Sequence, residues 1–224
     1  MPVEYIKDAA AVLTDAFDQD PTITYLLSSM TEEEKLKYFP TFFARVLTMA
    51  TLSKASIDGI DDWKSCGVLV PPGEDVGNIF TVITSGMLST FWIVGFGGCR
   101  RMAWELPGVS KAYKKKVFQK GEQYYYIYFL GTCKSARGRG LCSELIKHYQ
   151  SIAAAQGLPI WLEAGTEYAM KLYQKNGFIV VDELPLGKGK AAANGSKCDG
   201  GPGFHIWGMI WRPEPSASGE ASGE

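Results

Sequence analysis

The chain opens with a helical period. Val12, Leu13, Ala16 and Phe17 fall on one face of a helix over residues 8–17, and "DQDP" ends it. Thr31 followed by Glu34 makes a capping-box pattern. Behind it Leu36, Phe39, Phe42, Phe43, Val46 and Leu47 recur at helical spacing, with Pro40 predicting a kink or the true start of the helix. "SCGVLVPP" (65–72) predicts a short apolar strand stopped by two prolines. Residues 77–99 carry no charge and are long enough to span a bilayer, yet Asn78, several Ser and Thr and five glycines dilute them. They predict a buried core helix rather than a membrane span. "KAYKKKVFQK" (111–120) reads as a solvated helix face.

The second half has a clearer rhythm. "YYYIYFLGTC" (124–133), rich in aromatic and β-branched residues, predicts a buried strand. Leu141, Leu145, Tyr149, Ile152 and Ala153 form a helical stripe that Gly157 can cap. "LPIWLEA" is a second strand, Thr166 to Lys175 a short helix closed by Asn176-Gly177, and "FIVVDEL" a third strand. A glycine-rich loop over 186–203 precedes a last strand, "FHIWGMIW". Asn194-Gly195-Ser196 matches a glycosylation sequon that a cytosolic protein leaves inert. Strands and helices alternate with mixed connections, which predicts one α+β (mixed α/β) domain over 1–213 and a low-complexity, disordered tail over 214–224.

Composition narrows the function classes. Hydrophobic residues make up 46% and aromatics 12%, enough for a substantial core. A formal net charge of −1 gives no global footprint for nucleic acid or an anionic membrane, so any anion site must be local. Five scattered cysteines, odd in number and without C-x-x-C, read as reduced thiols of a cytoplasmic protein. Two histidines leave little for a zinc site or a Ser/His triad. The opening "MPVEYIKDAAAV" lacks the apolar core of a signal peptide.

"SARGRGLCSEL" (135–145) turns a strand into a helix through two glycines and two arginines. The first turn of a helix has unpaired N–H groups and about half a positive charge, so the guest such a turn suits is a phosphate or pyrophosphate. Gly138 and Gly140 allow close backbone approach, and Arg137 and Arg139 offer bidentate donors. A Walker loop is absent, and Ser143 stands where a dinucleotide fingerprint needs its third glycine. Taken alone, the run is equally compatible with a tight turn carrying solvated arginines.

In context it resembles the [Q/R]-x-x-G-x-[G/A] signature of the GNAT-family N-acetyltransferases. "LYQKNGF" (172–178) is similar to that family's second signature, and "DAFDQDPTITYLL" (15–27) to its opening helix and turn. "WLEA", "LYQKNGF" and "IWGMIWRP" resemble segments of the puromycin N-acetyltransferase group in particular. The resemblance implies the GNAT fold, a central mixed and mostly antiparallel sheet flanked by helices, with acetyl-CoA as the acetyl donor. It implies that N–H groups of Arg137, Gly138, Arg139, Gly140, Leu141 and Cys142 cradle the pyrophosphate, and that Leu130 and Thr132 pair their backbone with the pantetheine arm. Tyr173 becomes the acid that protonates the departing thiolate, and Glu163 the general base. Two positions depart from the pattern: Cys142 replaces a small Gly or Ala, and Ala169 an Asn.

The base matters because a lysine-like amine costs about 4–5 kcal/mol to deprotonate at pH 7, against about 1 for an α-amine. Phe17, Asp20 and Tyr25, with the apolar 77–99 segment, are expected to shape the acceptor's mouth. The reading is a transfer of acetyl to a small-molecule primary amine by direct attack in a ternary complex. A protein or peptide amine, or an acyl-CoA sensor without catalysis, are the alternatives. The expected partners exclude nucleic acid and membrane, and the expected state is a monomer or homodimer.

Overall fold

The computed structural model describes residues 3–214 of the chain. Helix α1 (Val3–Phe17) and a short α2 (Pro21–Leu26) are joined at Asp20, whose carboxylate caps α2. Helix α3 (Glu32–Leu52) starts at the predicted capping box, with Thr31 and Glu34 each satisfying the other's backbone N–H. It runs unbroken through Pro40, where the sequence predicts a kink or a start. Leu36 and Pro40 both face solvent, so water can take the bond that the missing N–H leaves unmade.

The strands are β1 (Ser56–Ile60), β2 (Ser65–Val70), β3 (Tyr125–Thr132), β4 (Ile160–Ala164), β5 (Ile179–Leu186) and β6 (Phe204–Trp211). They form one sheet in the order β1-β2-β3-β4-β6-β5. Every pairing is antiparallel except β3 with β4, which is parallel and lasts for two residue pairs, Tyr125 with Ile160 and Tyr126 with Trp161. Pro185 is tolerated because β5 lies at the sheet edge. Strand β1 has no clear apolar alternation, and the sequence reading misses it.

Between β2 and β3 the predicted core helix is two helices, α4 (Ile79–Thr84) and α5 (Met87–Arg100). Gly86, in the left-handed region at φ 76°, separates them, and Gly95 at φ 65° kinks α5. Their outer faces are exposed, so the expectation of a buried helix fails: the glycines break the segment before it can act as a core rod. Among the described residues no helix is long and apolar enough to cross a membrane. A π-helical turn at Arg101–Glu105 leads into α6 (Leu106–Val117), on which Lys114 is half-buried over Tyr126 rather than solvated.

Helix α7 (Leu141–Ala155) covers one face of the sheet, packing Leu145, Ile146 and Tyr149 against Leu69, Ile127 and Leu130. Helices α1 and α3 cover the other, where Phe17 and Phe43 meet Phe129 edge-on. Helix α8 (Glu167–Lys175), capped by Thr166, leads from β4 to β5. From residue 215 the expected tail lies outside the described residues.

Gly67 in β2 admits α7 closely. A Cβ there would stand 2.4 Å from the Tyr149 hydroxyl and 2.8 Å from its ring. Tyr149 cannot swing aside, being buried and donating to Asp58 at 2.9 Å. Gly67→Ala is expected to cost about 1–3 kcal/mol, seen as a lower urea midpoint with an unchanged slope.

Candidate active site

The glycine loop turns its backbone toward the cleft. After β3 a 3₁₀ turn (Lys134–Ala136) leads to Gly138 at φ 81° and Gly140 at φ 83°. A residue with a Cβ would be strained at either position. Gly140 is the N-cap of α7 and has no side chain to cap it, so the N–H groups of Leu141, Cys142 and Ser143 point outward without a capping acceptor. The side chains of the two arginines, expected on phosphate oxygens, are engaged elsewhere. Arg137 donates to the Ala16 carbonyl at 3.2 Å, at the end of α1, and Arg139 pairs with Asp61 at 2.7 Å outside the cleft.

Strand β3 carries an extra residue. Leu69 faces Ile127 and Val68 faces Phe129, leaving Tyr128 without a partner on β2. Before the bulge the Tyr125 N–H donates to Pro159, on the β4 side. After it the Gly131 carbonyl accepts from Ser65 at 2.9 Å, on the β2 side. Alternation then turns the peptide groups of Leu130 and Thr132 away from β2, into the gap that opens where β3 and β4 part.

That gap belongs to a continuous cleft of about 2120 Å³, larger than the roughly 300–1,000 Å³ of a single small-ligand pocket. It runs from the glycine loop past Tyr173 and Glu163 to the inner faces of α4–α6. Tyr173, on α8, is buried at its margin, and burial, with Cys142 and Asp20 nearby, raises its pKa. The phenol therefore stays protonated across the physiological range. Burial likewise pushes the Cys142 thiol up to about 12, which removes it as a nucleophile.

Glu163 projects from β4 on the cleft side. Its Oε1 accepts from the Trp161 indole N–H at 2.6 Å and from the Ser110 hydroxyl of α6. Burial first, and then the Glu163 charge, raise the Tyr126 and Tyr128 phenols beside it. Asp20 stands just beyond the same end of β4, beside Gly165. Its Oδ1 accepts from the N–H groups of Thr22 and Ile23 at 2.9 and 3.0 Å. Its Oδ2 abuts Gly165, where a Cβ would come within 2.6 Å. Burial raises the Asp20 pKa despite those hydrogen bonds.

Of the acceptor-side residues, Phe17 and Asp20 do line the cleft and Tyr25 does not. Tyr25 packs edge-on against Phe204 in a separate small core, with its hydroxyl donating to Glu105 at 2.9 Å. The sequence reading missed Ser110, which no motif marks. It also missed Tyr126 and Tyr128, which the alternation of β3 places on the same face as Trp161 and Glu163.

Residues 77–178 match the sequence model of the acetyltransferase (GNAT) family. An uncharacterized N-acetyltransferase of Schizosaccharomyces pombe is 25% identical over 181 residues, covering 80% of this chain and 73% of its own. Among solved structures, the polyamine N-acetyltransferase of Drosophila melanogaster is similar with a TM-score of 0.61 at 13% identity, over 95% of this chain and 97% of its own. Arylalkylamine N-acetyltransferase 2 from Aedes aegypti gives 0.60 at 14% identity, over 95% and 96%. At those identities the two structures speak for the fold alone. The stretch of chain similar to the GNAT acetyltransferase family is thus the one that holds both the glycine loop and the Tyr173 helix.

Proposed function

We propose that the protein transfers an acetyl group from acetyl-CoA to a primary amine of a small molecule, by direct attack with both substrates bound. The observation that carries this reading is the single cleft. An uncapped helix N-terminus, an unpaired strand edge, a protonated phenol and two carboxylates all open onto it. Acetyl-CoA fits the donor half: the N–H groups of Leu141, Cys142 and Ser143 suit its pyrophosphate, and the free edge at Leu130 and Thr132 suits its amide-bearing arm. When bound it supplies an activated thioester.

This chain's own groups manage the protons. Glu163 takes the proton of the attacking amine, directly or through water, with Trp161 and Ser110 fixing its orientation. Tyr173 Oη returns a proton to the departing thiolate. Asp20 meets the ammonium form of the acceptor as it enters, because a desolvated carboxylate gains from a cation. Cys142 forms no acyl intermediate, since its thiol is protonated, and this favours direct attack over a two-step route. Tyr126, Tyr128, Phe129 and Phe17 give the acceptor half an aromatic wall. Together with the arylalkylamine N-acetyltransferase sharing the fold, that wall supports a small apolar or aromatic amine. The free thiols at Cys66, Cys99, Cys133, Cys142 and Cys198 support a reducing, cytoplasmic setting.

Thiol release from acetyl-CoA, measured against a panel of arylalkylamines, polyamines, antibiotics and peptides, is expected to select small amines. Tight CoA binding without turnover on any amine would refute the enzyme reading in favour of a sensor. Tyr173→Phe is expected to lower kcat about 100-fold while leaving CoA affinity, read by calorimetry, unchanged.

Glu163→Gln is expected to lower kcat/KM about 10- to 100-fold at pH 7 and to approach the parent at high pH, where the amine deprotonates itself. A pH–rate profile reports this as an upward shift of its rising limb.

For Asp20→Asn the two effects separate. A carboxyl whose pKa is raised on folding costs stability once pH exceeds the folded value, and none below the unfolded one. The amide still caps α2, so the variant is expected to melt at or above the parent temperature at pH 7. The same change raises the acceptor KM about tenfold, at roughly 1.4 kcal/mol per decade, with kcat nearly unchanged.

A further inference from the structure

Helix α6 brings Lys114 to the cleft as well as Ser110. Residues four apart on a helix lie side by side, with about 5–6 Å between their Cβ atoms. Ser110 donates to Glu163, while the Lys114 ammonium sits 4.1 Å from the centre of the Tyr126 ring and 5.3 Å from that of Tyr124. Tyr126 in turn lies beside Glu163. One helix face thus sets a cation close to the candidate base, with Tyr126 next to both.

That cation has no anion of its own. Lys114 is half-buried, lines the cleft and enters none of the described ion pairs. The nearby carboxylates of the cleft wall are committed elsewhere: Glu74 to Lys54 at 2.6 Å, Glu122 to Arg212 at 2.7 Å, and Glu163 to Trp161 and Ser110. Asp75 accepts from the Gly77 N–H at 3.0 Å. Lys111 and Lys115, exposed on the same helix and lining the same cleft, add to the positive field. An ammonium partly withdrawn from water, with aromatic faces beneath it, gains most from an anion that arrives with a ligand.

Position assigns that anion to the acceptor and not to CoA. Thr132 lies six residues along β3 from Tyr126, about 20 Å at the rise of an extended strand. The glycine loop lies beyond Thr132. We propose that Lys114 binds a carboxylate of the acceptor, so that the substrate is an aromatic amine that also carries an acid, as an aromatic amino acid does. This rests on the acetyl-transfer reading for the place of the amine at Glu163. The one-turn spacing of Ser110 and Lys114 asks for an acid only a few bonds from the nitrogen, and the ring meets the wall of Tyr128, Phe129 and Phe17. A polyamine is rejected at the same point, because its second ammonium meets that of Lys114.

The test compares three matched pairs that differ only by the carboxylate: phenylalanine with phenethylamine, tyrosine with tyramine, and tryptophan with tryptamine. Binding to the CoA-loaded protein is read by calorimetry, and turnover by thiol release. In at least one pair the amino acid is expected to bind about 10- to 100-fold tighter than its amine, with a matching gain in kcat/KM. Lys114→Met, which keeps an apolar stem over the two rings, is expected to bring that ratio to about one with CoA affinity retained. Lys114→Arg keeps the charge and should keep most of the ratio. If Lys114→Met does not fold, Lys114→Gln carries the same comparison. Amines that bind as well as their amino acids in all three pairs, no binding by any of the six, or a ratio that survives loss of the charge would each overturn the proposal. So would a loss of CoA affinity in Lys114→Met, which would move the lysine to the donor half. Turnover of the bare amines without such a ratio leaves the acetyl-transfer reading standing and removes this one. A ratio in binding without turnover does the reverse.

Discussion

A parallel strand pair is held by a ladder along its length, and β3 and β4 abandon theirs after Tyr126 and Trp161. Everything at the site depends on that parting. The bulge at Tyr128 reverses which way the peptide groups point, so Leu130 and Thr132 offer their backbone to the gap. It also places Tyr128 and Phe129 on the same face, Phe129 against Phe17 and Phe43, while Ile127 and Leu130 stay beneath α7. One extra residue thus supplies both the free strand edge for a donor and the aromatic wall for an acceptor. A regular strand could supply only one of them.

The loop that follows is braced by its own arginines. Arg137 is tied to the end of α1 and Arg139 to Asp61. Asp61, Asp62 and Trp63 all lie in the left-handed region, at φ 51°, 50° and 56°. Non-glycine residues there cost of order 1 kcal/mol or more each. The turn is retained because Trp63 seats over Gly59, where a Cβ would come within 2.4 Å of its ring, and because Asp61 anchors Arg139. The arginines therefore brace the glycine loop, and under the proposed function the charge offered to a phosphate would come from the dipole and open N–H groups of α7. A helix end needs no basic surface around it, which is how a chain of net charge −1 can hold an anion.

What could be read from residues alone follows from how local the causes are. The glycine loop, the α7 stripe, the Thr31 capping box and the helix of Tyr173 rest on spacings within a dozen residues, and the structure keeps each of them. The failures have distant causes. Tyr25 belongs to the core around Phe204 and not to the cleft, because β6 returns beneath it. Ser110 reaches Glu163 only because α6 folds back over β4. The Tyr128 bulge is a register fact about β2, invisible in β3 itself. Pro40 misled because its tolerance depends on which side of α3 meets water.

The segment between β2 and β3 is the least local of all. As a string, residues 77–99 are ambiguous between core and membrane, and both readings assume one continuous rod. Gly86 and Gly95 break the rod into pieces too short for either role. The pieces keep the composition that caused the ambiguity, so they must be apolar on two sides at once. The inner side is accounted for by the cleft, where Met87 and Phe91 stand among its lining. The outer side gains nothing from the fold: Trp92 and Phe96 leave most of their surface in water, which costs roughly 25 cal/mol for each Å² that could be covered. The feature that left the sequence ambiguous between core and membrane is, in the fold, a broken wall with the cleft on one side and water on the other.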